Sequence, residues 1–286
     1  MSSLSNKNEP QSLPPGESAP SGVQDNVNTH FDATVSYWDE VYGDETLQGV
    51  IYQQRQAAVL EYVDAADLPT PAHVLEIGCG AGHLTVRLAE RNLHVNAIDA
   101  SAGMVELTAR QAREAGYAEQ VTVSQADVHA LPFQSGHVDL VVAVGVIPWL
   151  HSPGEAVAEM ARVLRPGGQL VLTADNGARL SSFIDPRGML ALTPLRRTYH
   201  ALRNRPGQAV SHLHSPRRID RFVREAGLQA TATRTIGFGP LSLLGHRLLR
   251  DHLAIRLNKR LQTLADAGVP GLRRTGWHYL VLATKS

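Results

Sequence analysis

Cysteine is almost absent from this sequence, and long apolar runs are missing altogether. The 286 residues include one cysteine, Cys79, which excludes an internal disulfide framework, and no other metal-ligating residues stand at ligand spacing from it. No stretch reaches the roughly 20 apolar residues of a membrane span, and the N-terminus lacks the charged and then apolar layout of a secretory signal. We therefore expect a soluble, cytoplasmic protein whose fold needs no metal.

The formal net charge of zero hides an uneven distribution of charge along the chain. Residues 1–177 hold 8 lysines and arginines against 22 acidic residues, whereas residues 178–286 hold 19 against 5. A basic half of this kind is typical of a protein with an anionic partner. Attraction between an acidic and a basic lobe explains the same pattern, so both interpretations stay open.

Composition and periodicity divide the chain into four parts. Residues 1–27 are rich in serine, proline, glycine, asparagine and glutamine, which predicts a disordered tail. Residues 28–71 have helical periodicity and are predicted to form a helical leader, followed by an α/β core over residues 72–177. Residues 178–286 are predicted to hold a basic cap rich in proline and arginine, a helical insertion and the last two strands.

Short apolar runs alternate with longer amphipathic runs throughout the core. The short runs have the length of strands, and helical patterns separate most of them. Strands this continuously apolar need cover on both faces. The alternation therefore predicts an α/β fold with a doubly wound, largely parallel sheet. The predicted strands of the core are 73–77, 95–98, 121–125, 138–144 and 169–173, and its predicted helices are 84–90, 102–115 and 155–164.

A glycine-rich turn follows the first predicted strand. Gly78 and Gly80 permit a tight turn and the close approach of a ligand to the backbone where the next helix starts. Asp99 ends the next strand, where a carboxylate can accept both ribose hydroxyls of an adenosine or can cap the following helix. The segment predicts a nucleotide-like ligand, and both roles of Asp99 remain open.

Two details of this loop argue against a dinucleotide. The dinucleotide fingerprint is Gly-x-Gly-x-x-Gly, but here the third glycine, Gly82, comes one residue early and His83 takes its place. Glu76 would set a negative charge beside a pyrophosphate, whereas the same charge is favourable beside a sulfonium cofactor that carries an ammonium group. The loop therefore favours S-adenosylmethionine.

Five segments of the core together resemble the motifs of class I S-adenosylmethionine-dependent methyltransferases. They occur in order and at the family's spacing, and they most resemble the branch with the type 11 domain, which contains the ubiquinone and menaquinone biosynthesis methyltransferases. The resemblance implies a seven-stranded Rossmann-like sheet of order 3-2-1-4-5-7-6 with the last strand antiparallel. The segments are 76–82, 98–101 with Met104, 125–133, 133–151 and 163–168.

The resemblance also implies where S-adenosyl-L-methionine would bind. Gly78 and Gly80 would flank its methionine part, and Asp99 would hold its ribose. Tyr37 lies where such enzymes often close a helix over the site, although packing of that helix explains this aromatic residue equally well. The expected cofactor residues are Tyr37, Glu76, Gly78, Gly80, Gly82, Asp99, Ala100, Ser101, Met104, Asp127, Val128 and Val144.

Two histidines are candidates for a general base, which an oxygen or nitrogen acceptor can require in addition to alignment with the methyl group. His151 follows the fourth strand, and His214 lies where the cap returns to the core. Histidine suits this role near neutral pH. A structural or solvated role is the alternative for each.

The residues after the fourth strand bear on the acceptor. Enzymes that methylate exocyclic amines of nucleobases or glutamine typically carry Asn/Asp-Pro-Pro-aromatic there, whereas residues 146–149 of this chain are Val-Ile-Pro-Trp. A nucleic acid is therefore disfavoured, and we expect O- or C-methylation of a small-molecule acceptor of lipophilic or anionic character. An RNA methyltransferase that uses the basic C-terminal lobe and a non-catalytic S-adenosylmethionine-binding protein remain alternatives.

A basic amphipathic helix is predicted within the insertion over residues 241–265. Such a helix can lie on an anionic membrane, which would place the protein at the inner membrane face. Packing against the sheet or against a second copy explains the pattern equally well, and the oligomeric state stays open. The apolar face consists of Leu253, Leu257, Leu261 and Leu264, flanked by Arg256, Lys259 and Arg260.

Overall fold

Seven strands form the central sheet of the computed structural model, which describes residues 21–184, 211–243 and 246–286. The inner strands are buried on both faces because they are runs of valine, leucine, isoleucine and alanine. A small hairpin lies outside this sheet. The sheet strands are β1 His73–Ile77, β2 His94–Asp99, β3 Val121–Gln125, β4 Val138–Ala143, β5 Leu164–Asp175, β6 Leu228–Ile236 and β9 His278–Lys285, and the hairpin is β7 Ser242–Leu243 with β8 His246–Arg247.

The strand order of the sheet is β3-β2-β1-β4-β5-β9-β6. Strands β1 to β5 are parallel, and β9 is antiparallel to both of its neighbours. The predicted α/β fold, including the antiparallel last strand, is confirmed. The C-terminal ends of β1, β2, β4 and β5 therefore meet at one edge, together with the start of β9, which is the edge where ligands bind in open α/β sheets.

Helices cover both faces of the sheet. On one face, Val157 and Ile219 are buried against it, and on the other Val59 and Leu88 are buried. Each fully buried side chain of this kind contributes about 1.5 to 3 kcal/mol. The helices are α1 Ser21–Ala33, α2 Val35–Glu40, α3 Leu47–Asp64, α4 His83–Ala89, α5 Ala102–Glu114, α6 Pro153–Val163, α7 Leu180–Ile184, α8 Pro216–Glu225 and α9 Asp251–Asp266, with 3-10 turns at Val41–Gly43 and Ile147–Trp149.

The leader lies across the C-terminal edge of the sheet. The Asp32 carboxylate accepts hydrogen bonds from the Ser101 hydroxyl and the Gly103 amide, and the His83 ring lies 3.0 Å from the Asp39 carbonyl oxygen. These contacts fix α1 and α2 to the first turns of α5 and α4. Helix α1 begins at Ser21, so the part of the predicted tail over residues 21–27 is helical, and residues 1–20 lie outside the described residues.

The insertion differs from the prediction at its N-terminal end. The strands of the hairpin are Ser242–Leu243 and His246–Arg247, and the helix starts at Asp251 rather than at 241. Its buried face is small and polar: the side-chain oxygen Oδ1 of Asn258 accepts from the Phe238 amide at 2.7 Å, and Oε1 of Gln262 accepts from the Gly237 amide at 2.9 Å. With this face buried, Leu253 and Leu264 of the predicted leucine face are exposed, and Leu257 and Leu261 are half-buried. Most of the predicted cap, over residues 185–210, lies outside the described residues.

Charge complementarity links the two halves of the chain in one place. Arg234 of β6 donates to Glu61 of α3 at 2.5 Å and forms two hydrogen bonds of 2.9 Å with Asp266 of α9. The basic lobe therefore has at least one ion pair with the acidic half. No helix in the described ranges is long and apolar enough to cross a membrane.

Candidate active site

A cavity opens where β1, β2, β4 and β5 end, beneath the leader. Its empty volume is about 1380 Å³, its open mouth included. Aromatic side chains form much of its wall, namely Phe31, Trp38, Tyr42, Tyr52, Trp149 and Trp277.

The glycine loop forms the floor of the cavity. The Gly78 and Cys79 amides donate to the Ile98 carbonyl at 2.8 and 3.0 Å, which folds the loop back onto β2. Gly78 and Gly80 have positive φ values of 70° and 55°, a conformation that glycine adopts without strain. A Cβ on Gly78 would lie 2.5 Å from the Val146 side chain, whereas a Cβ on Gly80 would have no protein atom within 4 Å. The space over Gly80 is therefore open for a ligand.

Gly82 serves a different purpose from the other two glycines. Its φ is 84°, and a Cβ there would lie 3.0 Å from the Thr108 Cα. The Thr108 hydroxyl in turn donates to the Gly80 carbonyl at 2.7 Å. Gly82 thus allows α5 to pack closely against the loop. It is not one of the described residues that line the cavity.

Asp99 connects the glycine loop to the start of α5. Its carboxylate accepts from the Gly80 amide and the Ser101 amide, each at 3.0 Å. The cap of α5 is Ser101, whose hydroxyl accepts from the Met104 amide at 3.1 Å, so the helix does not need Asp99 as its N-cap. Burial raises the pKa of Asp99, against the effect of these amide donors. Each carboxylate oxygen keeps a further lone pair for a ligand.

Glu76 is almost completely buried in the wall beside the loop. Burial raises its pKa to about 8, although the Thr85 hydroxyl donates to it at 2.6 Å. The side chain is therefore largely protonated at neutral pH in the free protein. A cation placed next to it would favour the charged carboxylate.

The residues expected near adenine lie at the other end of the cavity. Met104 and Val128 are buried there, and Asp127 lines the cavity with them. One Asp127 oxygen accepts from the His129 amide at 2.9 Å and lies 2.7 Å from the His129 ring nitrogen Nδ1. Burial opposes its charge, but these contacts hold the pKa of Asp127 below its usual range. The other oxygen can accept from an amino group.

The structure brings together ten of the twelve predicted cofactor residues, and Tyr37, Gly82 and the two candidate histidines are not among them. Tyr37 is 47% exposed, and its hydroxyl accepts from Gln48 instead of facing the cavity. His151 is exposed, with its ring centroid 3.9 Å from that of His129, and His214 is buried against Phe222. Neither histidine lines the cavity among the described residues. The predicted residues that do line it are Glu76, Gly78, Gly80, Asp99, Ala100, Ser101, Met104, Asp127, Val128 and Val144.

Arg55 is a site residue that the sequence interpretation missed. The residue is 5% exposed, and its guanidinium donates to the Tyr42 hydroxyl at 2.9 Å and lies 4.7 Å from the centre of the Tyr52 ring. Gly145 leaves room for it, because a Cβ there would lie 3.2 Å from Nη1. Its Nε has no hydrogen-bond partner within the described structure. The signal in the sequence was an arginine one helical turn after Ile51, on the face of α3 that is buried.

A second missed feature is an acid and a histidine in the same wall. Asp175 ends β5 and His278 begins β9, and the two lie opposite each other in the antiparallel pairing. Asp175 Oδ1 and His278 Nδ1 are 3.0 Å apart, and both residues line the cavity. No sequence signal pointed to this pair, since 103 positions separate them.

The sheet order, the glycine loop and the acid that ends β2 define the class I S-adenosylmethionine-dependent methyltransferase fold. Residues 75–172 match the family model described as a methyltransferase domain, and this part of the chain is such a domain. The malonyl-[acyl-carrier protein] O-methyltransferase of Enterobacter lignolyticus is 36% identical over 126 residues, which cover 43% of this chain and 48% of that enzyme. The chain spans 39% and 48% of the first curated relatives that it matches.

Solved structures agree on the fold. The magnesium protoporphyrin IX methyltransferase of Synechocystis PCC 6803 with bound SAH has a TM-score of 0.58 at 20% identity, covering 91% of this chain and 98% of that one. The [4+2]-cyclase SpnF has a TM-score of 0.61 at 19% identity, covering 91% and 94%. The predicted class and its cofactor, S-adenosylmethionine, are confirmed for the core domain.

Proposed function

We propose that the protein transfers a methyl group from S-adenosylmethionine to a small-molecule acceptor. The observation that carries the proposal is that one cavity is lined both by the glycine loop with Asp99 and by an aromatic wall with Arg55, Asp175 and His278. A fold hosts many reactions, and the cyclase is a neighbour as well as the methyltransferase. The residues of the site therefore have to support the reaction.

The described residues fit the cofactor. The open space over Gly80 admits the ligand against the backbone, and Asp99 can accept the ribose hydroxyls. The unpartnered Nε of buried Arg55 fits a carboxylate, and Glu76 fits an ammonium group. When bound, the cofactor supplies an activated methyl group. The protein then has to orient the acceptor and exclude water, which the aromatic wall and the leader can do.

The function is tested in two steps with the purified protein. Calorimetric titration should show binding of S-adenosylmethionine and of its product, S-adenosylhomocysteine (SAH), but not of NAD. A cell extract is then incubated with protein and cofactor, and mass spectrometry identifies metabolites that gain a methyl group. Cofactor binding without any methylated product would favour a non-catalytic binding protein, and salt-sensitive labelling of RNA would favour the RNA alternative.

The pH dependence of SAH binding provides a prediction for Glu76. The carboxyl has a pKa of about 8 in the free protein and has to lose its proton to pair with the ammonium of SAH. The association constant should therefore rise by up to about tenfold per pH unit between pH 6 and 7.5. Titrations in buffers of different ionisation enthalpy would count the released proton.

Glu76→Gln and 5′-methylthioadenosine are the controls for this prediction. The variant has no carboxyl to titrate, and methylthioadenosine keeps the nucleoside but lacks the amino-acid part. The association constants of SAH with Glu76→Gln and of methylthioadenosine with the wild type should both be almost independent of pH. An equally steep profile in Glu76→Gln would assign the proton to another group.

We further propose that α9 contacts an anionic lipid surface. Leu253 and Leu264 are 44% and 45% exposed, because the opposite face of the helix is buried. Arg256, Lys259 and Arg260 are exposed beside them, so an apolar strip has basic flanks. This combination fits the boundary between acyl chains and anionic headgroups.

Sedimentation with vesicles tests the contact. The protein should bind vesicles containing phosphatidylglycerol and not those of phosphatidylcholine alone. Arg256→Gln/Lys259→Gln should weaken binding roughly 30-fold, at about 1 kcal/mol for each charge. Arg110→Gln/Arg113→Gln, which removes two charges from α5, is the matched control. Concentration-dependent dimerisation without vesicle binding would assign the leucine face to a second copy instead.

A further inference from the structure

Asp175 and His278 form a rigid pair at the C-terminal edge of the sheet. The β5–β9 pairing sets the two residues opposite each other, and the His278 ring stacks on Trp277 with a centroid distance of 5.4 Å and an angle of 9°. Backbone hydrogen bonds hold this turn: the Trp277 amide donates to Gly237 at 2.6 Å, and the Trp277 carbonyl accepts from Asn176 at 2.8 Å. The imidazole is therefore fixed in position.

The charges around the pair define the tautomer of His278. Burial opposes a charge on Asp175, but the hydrogen bond from His278 and the nearby Arg55 and Arg179 hold the pKa of Asp175 below its usual range. Burial, Arg55 and Arg179 lower the pKa of His278 against the effect of Asp175. The imidazole is thus neutral near pH 7 and donates its Nδ1 proton to a charged carboxylate, which leaves the lone pair on Nε2.

The Nε2 atom of His278 is an unusual feature of this wall. It is buried and has no hydrogen-bond partner within the described structure. A buried polar atom without a partner is costly, and most such atoms in folded proteins are paired. Since His278 lines the cavity, a ligand that donates a hydrogen bond there would remove this cost.

We propose that His278 is the general base of the reaction, positioned by Asp175, and that the acceptor is a hydroxyl compound. This inference rests on the proposed methyl transfer. As the acceptor oxygen forms its bond to the methyl carbon, its proton passes to Nε2 and the carbon–sulfur bond breaks with its electron pair remaining on sulfur. His278 later releases the proton to solvent. A hydroxyl is the acceptor that needs such a base, because its oxygen is a weak nucleophile while it keeps the proton.

The other candidates for this role are less well placed. His83 also lines the cavity, but its Nε2 already lies 3.0 Å from the Asp39 carbonyl oxygen. His151 and His214 lie outside the cavity lining, and Arg55 keeps its proton at any working pH. Tyr52, which also faces His278 at a centroid distance of 6.0 Å, has a pKa raised by burial and stays protonated. The pair Asp175 and His278 is the arrangement in which an acid orients the ring of a base.

The first measurement needs no acceptor. Nitrogen NMR of the histidine rings should show His278 with its proton on Nδ1 near pH 7, and with a midpoint of titration below 6.5, in the free protein and with SAH bound. Asp175→Asn should change the tautomer equilibrium. A His278 ring that is protonated on Nε2 in both states would overturn the proposal.

The second measurement uses the acceptor found in the extract. His278→Asn keeps a donor toward Asp175, and it should lower the methyl-transfer rate at least 100-fold while the dissociation constant of SAH stays within twofold. The loss of methyl-transfer rate at low pH that the wild type shows should be missing in His278→Asn. Added imidazole should partly restore the rate of His278→Ala. His94→Asn, at the opposite edge of the sheet, is the control. A wild-type rate in His278→Asn would refute the role of His278 as base and leave the proposed function standing. A wild-type protein that transfers no methyl group would refute both.

Discussion

Asp99→Ala should weaken the binding of SAH and of 5′-methylthioadenosine to a similar degree, by about 10- to 150-fold. Both ligands carry the ribose, and hydrogen bonds to a charged group contribute about 1.5 to 3 kcal/mol. The substitution also removes the acceptor of the Gly80 and Ser101 amides, which hold the loop against α5. Calorimetric titration with both ligands measures the effect.

Asp64→Ala is the matched control for Asp99→Ala. Asp64 ends α3 far from the cavity lining, and its carboxylate pairs with Arg91 at the surface. This variant should bind both ligands as the wild type does. A folded Asp99→Ala protein, checked by its melting temperature, with unchanged affinity for both ligands would show that Asp99 serves only the loop.

The strands of the core follow directly from local sequence. The strands β1 and β3 coincide with the predicted ranges because each is an apolar or alternating run bounded by turn residues. The glycine loop is equally local, since positive φ at Gly78 and Gly80 is a property that the residue type itself reveals. Fold and cofactor class were therefore predictable from contiguous segments.

The part of the cavity wall that holds Arg55, Asp175 and His278 was not predictable in the same way. Arg55 comes from the leader and His278 from the last strand, and only the closed sheet brings them near Asp175. Periodicity predicts that a residue is buried, but it does not predict which other residues its side chain contacts. The choice of His151 and His214 relied on closeness in sequence to known motifs, whereas the wall is made by residues that meet through topology.

The leader and the insertion show a related difficulty. Tyr37 and Trp38 are neighbours, and the sequence offered no means of deciding which one faces the cavity; the structure points Trp38 inward. In α9 the leucines have the strongest helical pattern, yet the buried side is the one with Asn258 and Gln262. Hydrogen bonds to the loop after β6 outweigh the burial of leucine there.

Arg55→Gln should weaken the binding of SAH by about 30-fold or more and leave the binding of methylthioadenosine within twofold. The two ligands differ in the amino-acid part, so only SAH has a carboxylate for the guanidinium to pair with. Removing one partner of a buried charge pair costs about 2 kcal/mol or more. The ratio of the two affinities therefore isolates the carboxylate contact from any general change of the cavity.

This pair of ligands also distinguishes Arg55 from Asp99. Asp99→Ala should affect both ligands, whereas Arg55→Gln should affect one. Arg113→Gln, which removes an exposed arginine from α5, controls for the change in net charge and should affect neither. Equal losses for SAH and methylthioadenosine in Arg55→Gln would mean that the arginine acts by holding Tyr42 and the leader in place, and the carboxylate would then need another partner.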